Sequence, residues 1–205
     1  MDENVVKDMV IGSHNSWSYL RPRRWWMRAI GFAARCQRVD VRKQYWKYGV
    51  RCFDLRIRLD GDGAMIVAHG AVEYVMMSEG IWDDLKWLDE KGDCYVRVLH
   101  EARTRKQYTD ESVKAFRAMC HTFVQNFQHT QFWCGRNLYD WKVDYEFGEE
   151  PTCEEIYGSV VKGKWLYGWW PWLYAVTHNG RIYERGTDKD VLLVDFVDIL
   201  MVDYE

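Results

Sequence analysis

Within residues 50–59, VRCFDLRIRL, the run from Cys52 alternates: Cys52, Asp54, Arg56 and Arg58 fall on one side, Phe53, Leu55, Ile57 and Leu59 on the other. A period of two over these eight residues requires an extended strand, because only an extended chain sends successive side chains to opposite faces. The tetrapeptide DGDG (60–63) then supplies a turn, and AMIVAHG (64–70) reads as the next strand. The chain must therefore be organised around a sheet, and its other periodic segments say of which kind.

MVIGSH reads as a strand ending at His14, CYVRVLHEA (94–102) as another, and QFWCG (131–135) as a short one. GKWLYGWW (163–170) and VLLVDFVD (191–198) read as buried strands. Between them lie helical patterns. One runs from an N-cap at Ser78, with Glu79 in the first turn, to about Glu90, with Ile81, Leu85 and Leu88 on one face and Gly92 as the stop. A second, 110–128, lines up Val113, Phe116, Cys120, Phe123, Val124 and Phe127. PTCEEIYGSV reads as a third, with Thr152 and Glu155 as a capping box. Strand–helix alternation of this kind predicts an α/β fold, a compact barrel in a single domain spanning 1–205. In such barrels chemistry sits at the C-terminal ends of the strands, where His14, His69 and His100 fall.

The net charge of −3 gives no reason to expect a nucleic-acid partner. No apolar run reaches the roughly 20 residues that span a bilayer, and the opening MDENVVKD is too charged for a signal peptide. As written the chain reads as cytoplasmic, or as secreted if this is a mature form. The six cysteines are widely spaced with no C-x-x-C pair, so they read as reduced core thiols rather than a zinc site. Twelve Trp and thirteen Tyr are more than a core of this size normally uses. Such rings suit sugars, lipid headgroups and membrane interfaces.

His14, Asp54, Arg56 and His69 together make a chemical set. Two imidazoles at neighbouring strand ends can divide acid–base work, and a guanidinium between them can hold a phosphate, oriented by a carboxylate. That set suits phosphoryl transfer without a metal, or acyl chemistry with a different nucleophile. Each member also has a structural explanation: a hydrogen-bonded histidine, an ion pair along one strand face, a turn before Gly70.

IGSHNSW followed by YGVRCFDLRIRLDGDGAMIVAHG resembles the catalytic X-domain of phosphatidylinositol-specific phospholipase C, in its bacterial, metal-independent form. That family has a strand ending in Gly-Ser/Thr-His-Asn/Asp-Ser/Thr, then a Gly-Val/Ile-Arg-x-Phe-Asp-x-Arg strand, then a strand ending His-Gly. SEGIWDDLKWLDEKGDCYVRVLHEA, VKGKWLYGW and VLLVDFVD look similar to its later pieces, so the likeness covers 9–102 well and the remainder in patches.

The resemblance implies a distorted TIM barrel and a ribonuclease-like reaction. His14 would be the general base on the inositol 2-hydroxyl, His69 the general acid on the departing diacylglycerol oxygen, and Arg56 the counter-charge to the phosphate. Asp54 would support Arg56 or His69, and Asp195 would orient His14. Asn15, His100, Glu101 and Trp169 are the expected substrate contacts. No cofactor is expected. Calcium-dependent relatives put carboxylates at the positions held here by Asp54 and Arg56; calcium through Asn15 and Asp54 is the alternative, which the guanidinium of Arg56 opposes. RPRRWWMRAIG (21–31) offers Arg23, Arg24, Trp25 and Trp26 as an edge that docks on a peripheral membrane surface. The expected substrate is a phosphatidylinositol-type lipid. The other readings are a lysolipid or soluble glycerophosphodiester on the same barrel, or a catalytically silent lipid-binding module. The sequence leaves the oligomeric state open.

Overall fold

The computed structural model describes residues 9–78, 80–102, 104–136, 139–142, 153–156, 170–185 and 187–200. Nine strands and four α-helices follow one another along these residues. In chain order they are β1 (Val10–Ser13), α1 (Val41–Tyr48), β2 (Val50–Leu59), β3 (Met65–His69), β4 (Val72–Met76), α2 (Ile81–Asp89), β5 (Tyr95–His100), α3 (Asp110–Asn126), β6 (Gln131–Arg136), β7 (Tyr139–Lys142), β8 (Cys153–Ile156), α4 (Pro171–Arg185) and β9 (Val191–Val194). All strands join one sheet in the order β7-β6-β5-β2-β1-β9-β8, with the β3–β4 hairpin attached to β2.

The parallel neighbours are β6, β5, β2, β1, β9 and β8. They run around the sheet in chain order, and the first strand pairs with the last. A doubly wound open sheet does not join its first and last strands in this way, whereas a barrel must. The fold is α/β, in the strand order of a barrel distorted by an antiparallel hairpin. Among the described residues β6 and β8 are not bridged to each other.

The two faces of the sheet have separate tasks. Phe53, Leu55 and Ile57 of β2 pack outward with Val96 and Val98 of β5 against Leu85 and Leu88 of α2 and Phe116, Cys120 and Phe123 of α3. On the opposite face Cys52, Trp133, Val191 and Leu193 form a small apolar floor. Because side chains on one strand face recur every second residue, the next positions above that floor are Asp54 on β2, His14 after Gly12 on β1, and Asp195 after Leu193 on β9. The charged residues of the alternating strand thus stand on an apolar base, and both faces of β2 are buried.

Several expectations are corrected. The capping-box signature at Thr152 and Glu155 does not start a helix: Cys153–Ile156 is a strand paired in parallel with Val191–Val194, so sheet pairing overrides a local cap. Glu155 instead forms an ion pair with Arg97. Helix α2 starts at Ile81, after Gly80 at φ 82, and Ser78 is not its cap. Val124 is exposed and lies off the buried stripe of α3. The last strand stops at Val194, leaving Asp195 in the bend beyond it. Trp170, at the end of the expected buried strand, and Trp172, at the start of α4, are exposed. Helix α1 escapes a search for apolar stripes, since only Val41, Gln44 and Tyr45 of VRKQYWKY are buried, but its ends are marked. Asp40 accepts a hydrogen bond from the Lys43 N–H, and Gly49 closes the helix at φ 63. The proposed strand 163–170 lies outside the described residues, apart from Trp170. The cysteines are free thiols as expected, five of them buried.

Strand β1 has neighbours on both edges and little room above the floor. A Cβ added at Gly12 would lie 2.9 Å from Leu193 Cδ1, 3.0 Å from Val191 Cγ1 and 3.2 Å from Cys52 Cβ. Gly12→Ala is expected to lower the unfolding free energy by about 1–3 kcal/mol, the usual cost of overpacking, and Gly12→Val by more. Urea denaturation at equilibrium checks this.

Candidate active site

Register brings the site together. Gly12 pairs with Cys52 and Ser13 with Phe53, so His14 emerges beside Asp54. The β2–β3 hairpin pairs Ile57 with Val67, which carries His69 back down to the level of Leu55. The two imidazoles meet edge to face with ring centroids 5.2 Å apart.

Each ring is fixed by its Nδ1. His14 Nδ1 lies 2.6 Å from Asp195 Oδ1, and a carboxylate can only accept, so Nδ1 carries the proton and Nε2 the lone pair. Nε2 faces Asp54 Oδ2 at 3.9 Å. His69 Nδ1 lies 3.0 Å from the Ala34 carbonyl and by the same logic donates to it. That carbonyl is a hub: it also accepts from the Tyr74 hydroxyl at 2.9 Å and from Asn15 Nδ2 at 3.4 Å.

Arg56 lies between carboxylates. Its Nε donates to Asp54 Oδ2 at 2.8 Å, and its Nη1 lies 3.5 Å from Glu101 Oε2. Asp54 Oδ2 also accepts the Asn15 N–H at 3.0 Å, and Glu101 Oε1 accepts the Gly70 N–H at 2.8 Å. Asn15 sits at φ 46, a left-handed position that asparagine tolerates, and this turns its N–H toward Asp54. His14, Asn15, Asp54, Glu101 and Asp195 are all at most 2 % exposed, and Arg56 is 7 % exposed.

Burial and the Arg56 charge depress the His14 pKa to about 3, against the opposing pull of Asp195. His69 is lowered by burial and then by Arg56, with Glu101 opposing. Burial works to raise Asp54, but Arg56 and Arg97 outweigh it and hold the carboxyl below its usual range. Cys36, whose sulfur lies 3.7 Å from His69 Nδ1, is kept as a thiol by burial and then by the Asp195 charge.

The site thus gathers His14, Asn15, Asp54, Arg56, His69, Glu101 and Asp195. It does not include His100, which occupies the other sheet face: its ring stacks on Phe116 of α3 at 4.9 Å and meets Tyr108 edge on. A one-residue change of parity separates it from Glu101. Trp169 lies outside the described residues. Trp25 is 79 % exposed and Trp26 44 %. Arg23 is paired with Asp60 at 2.8 Å and Arg24 with Glu73 at 3.2 Å. Sequence reasoning missed the supports. Gln37 Nε2 donates to the carbonyls of His14 and Val194 at 3.1 and 3.0 Å, and Asn179 Nδ2 to that of Asp195 at 2.6 Å. Nothing in their local sequence distinguishes these buried amides from surface ones. It also missed a cleft of about 560 Å³ lined by Arg21, Arg28, Arg35, Phe32, Trp172 and Phe196, among others.

No family model matches the sequence, and no curated protein matches it. Solved structures do. The chain is similar to a double mutant of the phosphatidylinositol-specific phospholipase C from Staphylococcus aureus, at 14 % identity and TM-score 0.57, covering 91 % of this chain and 84 % of that one. A single mutant of the same enzyme matches at 15 % identity and TM-score 0.57, over 91 % and 84 % of the two chains. At this identity the likeness speaks for the fold.

The depressed histidines make stability depend on pH. An unfolded His14 binds its proton near pH 6.5 and the folded one only near 3, so the unfolded state takes up more protons in between. The contribution is complete above pH 6.5 and is lost as pH falls toward 3, and His69 acts with the same sign. The urea midpoint should fall from pH 7 to pH 5, and His14→Asn should fall less steeply over the same range. Equal slopes would show that His14 is not buried neutral.

Proposed function

We propose that this chain is a metal-independent phosphodiesterase that cleaves a phosphatidylinositol-type lipid by attack of the inositol 2-hydroxyl on phosphorus. The observation that carries the reading is the pair of facing imidazoles, each with Nδ1 committed to an acceptor so that proton transfer falls to Nε2, beside a buried arginine. The likeness to the Staphylococcus aureus enzyme supports it at the level of fold.

His14 Nε2 takes the proton of the 2-hydroxyl, and the oxygen forms a bond to phosphorus. The bond from phosphorus to the diacylglycerol oxygen breaks on the opposite side, and His69 Nε2 gives that oxygen a proton. The products are diacylglycerol and a 1,2-cyclic inositol phosphate. Asp195 holds His14 in the basic tautomer and stabilises the imidazolium that forms. Arg56 balances the charge on the non-bridging oxygens. Opening of the ring by water reverses the two histidine roles.

The bonding of Asp54 supports chemistry without calcium. Its Oδ2 is held by Arg56 Nε and the Asn15 N–H, and Glu101 is held by the Gly70 N–H. Calcium needs six to eight oxygen ligands, and these residues offer a guanidinium in their midst. They do not fit that ion.

The lipid surface is met by exposed aromatics. Trp25, Trp26, Phe32, Trp170 and Trp172 are each at least 44 % exposed, and Phe32 packs edge on against Trp170 at 5.7 Å. The cleft arginines Arg21, Arg28 and Arg35 add positive charge on this side. The Trp25–Ala29 turn leads through Ala34 to the carbonyl that holds His69, so the docking edge and the site share a segment.

Phosphorus NMR of phosphatidylinositol vesicles in excess chelator should show a cyclic phosphodiester, and His14→Ala or His69→Ala should reduce its rate by at least about 10²-fold. Vesicle binding without turnover would instead favour a silent lipid-binding module. Turnover of glycerophosphodiesters alone would move the headgroup assignment. In the free enzyme, kcat/KM should decline as pH rises through the lowered His69 pKa, below 6.5. Arg56→Gln should move that alkaline limb upward while lowering the rate. Trp25→Ala with Trp26→Ala should lower the ratio of vesicle activity to activity on a soluble short-chain substrate about tenfold or more.

A further inference from the structure

His14 and His69 share their surroundings with a side chain that the acid–base chemistry does not use. Cys36 is fully buried, and one ligand-type atom from each of His14, Cys36 and His69 lies within 4.8 Å of the other two. The cysteine sulfur and His69 Nδ1 are 3.7 Å apart. Tetrahedral bonds of 2.0–2.3 Å put neighbouring ligand atoms about 3.5 Å apart, so one edge of the cluster already has that spacing. The third ligand must close by at most about 1.3 Å.

The cysteine is also held in place. Its N–H donates to Ser18 Oγ at 2.9 Å, and its carbonyl accepts from the Phe196 N–H. Asp195, bonded to His14 Nδ1, and Asp54, beside His14 Nε2, put carboxylates next to the cluster, against the guanidinium of Arg56. Two imidazoles and a thiol select a borderline-soft ion of low coordination number over calcium or magnesium.

We propose that His14, Cys36 and His69 bind a thiophilic divalent ion of the zinc type, and that this ion turns the site off. On binding, the thiol releases its proton to solvent, and the His69 proton passes from Nδ1 to Nε2 with loss of its bond to the Ala34 carbonyl. The sulfur and one nitrogen of each imidazole then donate lone pairs to the metal, whose oxidation state is unchanged. A ring whose lone pair is donated cannot take a proton from a hydroxyl. The inhibitory half of this inference rests on the histidines acting as acid and base; the binding half rests on the cluster alone.

The test uses the full chain, stripped of metal and titrated with Co²⁺ while its absorption is followed. One equivalent should bring up a near-ultraviolet sulfur-to-cobalt band with intense visible bands of tetrahedral cobalt. Cys36→Ala should abolish the near-ultraviolet band, and Cys36→Ser serves if the alanine chain does not fold. His69→Ala should keep the sulfur band and weaken binding at least about tenfold. In parallel, Zn²⁺ should inhibit phosphatidylinositol turnover, and in the Cys36 variants half-inhibition should need at least about tenfold more zinc, each measured against its own zinc-free rate. Absence of the sulfur band in the parent chain, its survival in the Cys36 variants, or unchanged zinc inhibition in them overturns the proposal. A chain that turns over no phosphatidylinositol still gives the cobalt spectrum, so failure of the catalytic reading and failure of the metal site are told apart.

Discussion

A guanidinium buried to 7 % exposure cannot be left alone: taking an ion out of water costs several kcal/mol even after relaxation. Arg56 is therefore answered by Asp54 and Glu101, and those carboxylates by backbone N–H groups from other parts of the sheet. Through this network the end of β1 is tied to β2 by Asn15, and the end of β5 to the β3–β4 turn by Gly70. Deleting one partner of such a set typically costs about 3–5 kcal/mol, because it strands a buried charge. Burial, and then the same charge, lower both histidine pKa values, so Arg56 bears on stability and on the proposed chemistry alike.

The apolar floor beneath the network makes it geometrically possible. Charged side chains on three adjacent strands can converge only if the strands are close, and Gly12 lets β1 sit between β2 and β9 without a Cβ colliding with Leu193 or Cys52. One apolar step, then one polar step, recurs on each strand: Cys52 then Asp54, Gly12 then His14, Leu193 then Asp195. Water is excluded from below, and the electrostatic interactions above are strengthened accordingly.

This stacking explains what the sequence made legible. The period-two run 50–59 declared its strand and the face that carries Asp54 and Arg56, and the small-residue motif before His14 declared its position. Asp195 could be named because it follows an apolar run by one residue, although that run breaks before it. His100 could not be sorted from Glu101, since adjacent residues differ only in face and the face was fixed by pairing with β6 and packing under Phe116. Gln37 and Asn179 were illegible for a related reason. A buried amide differs from a surface one only by tertiary position, and both are defined by carbonyls more than 10 residues away in sequence. The strand at Cys153–Ile156 was hidden because four residues carry too little periodicity to outweigh a capping signature, whereas pairing with β9 decides the matter in the folded chain.

In the proposed reaction Arg56 would also couple binding to protonation. Burial, and then its charge, oppose a proton on His69, the proposed general acid. A phosphodiester would bring a negative charge to the guanidinium and remove part of that opposition. The proton on His69 would then be favoured by the same event that delivers the leaving group to it. His14 is not drawn along equally, because Asp195 already holds its Nδ1 proton and burial keeps the ring neutral. Two identical side chains, 5.2 Å apart, thus differ in their outer partners: a carboxylate on one Nδ1, a backbone carbonyl on the other. That asymmetry distinguishes the two members of the proposed acid–base pair, and it follows from which strand each histidine terminates.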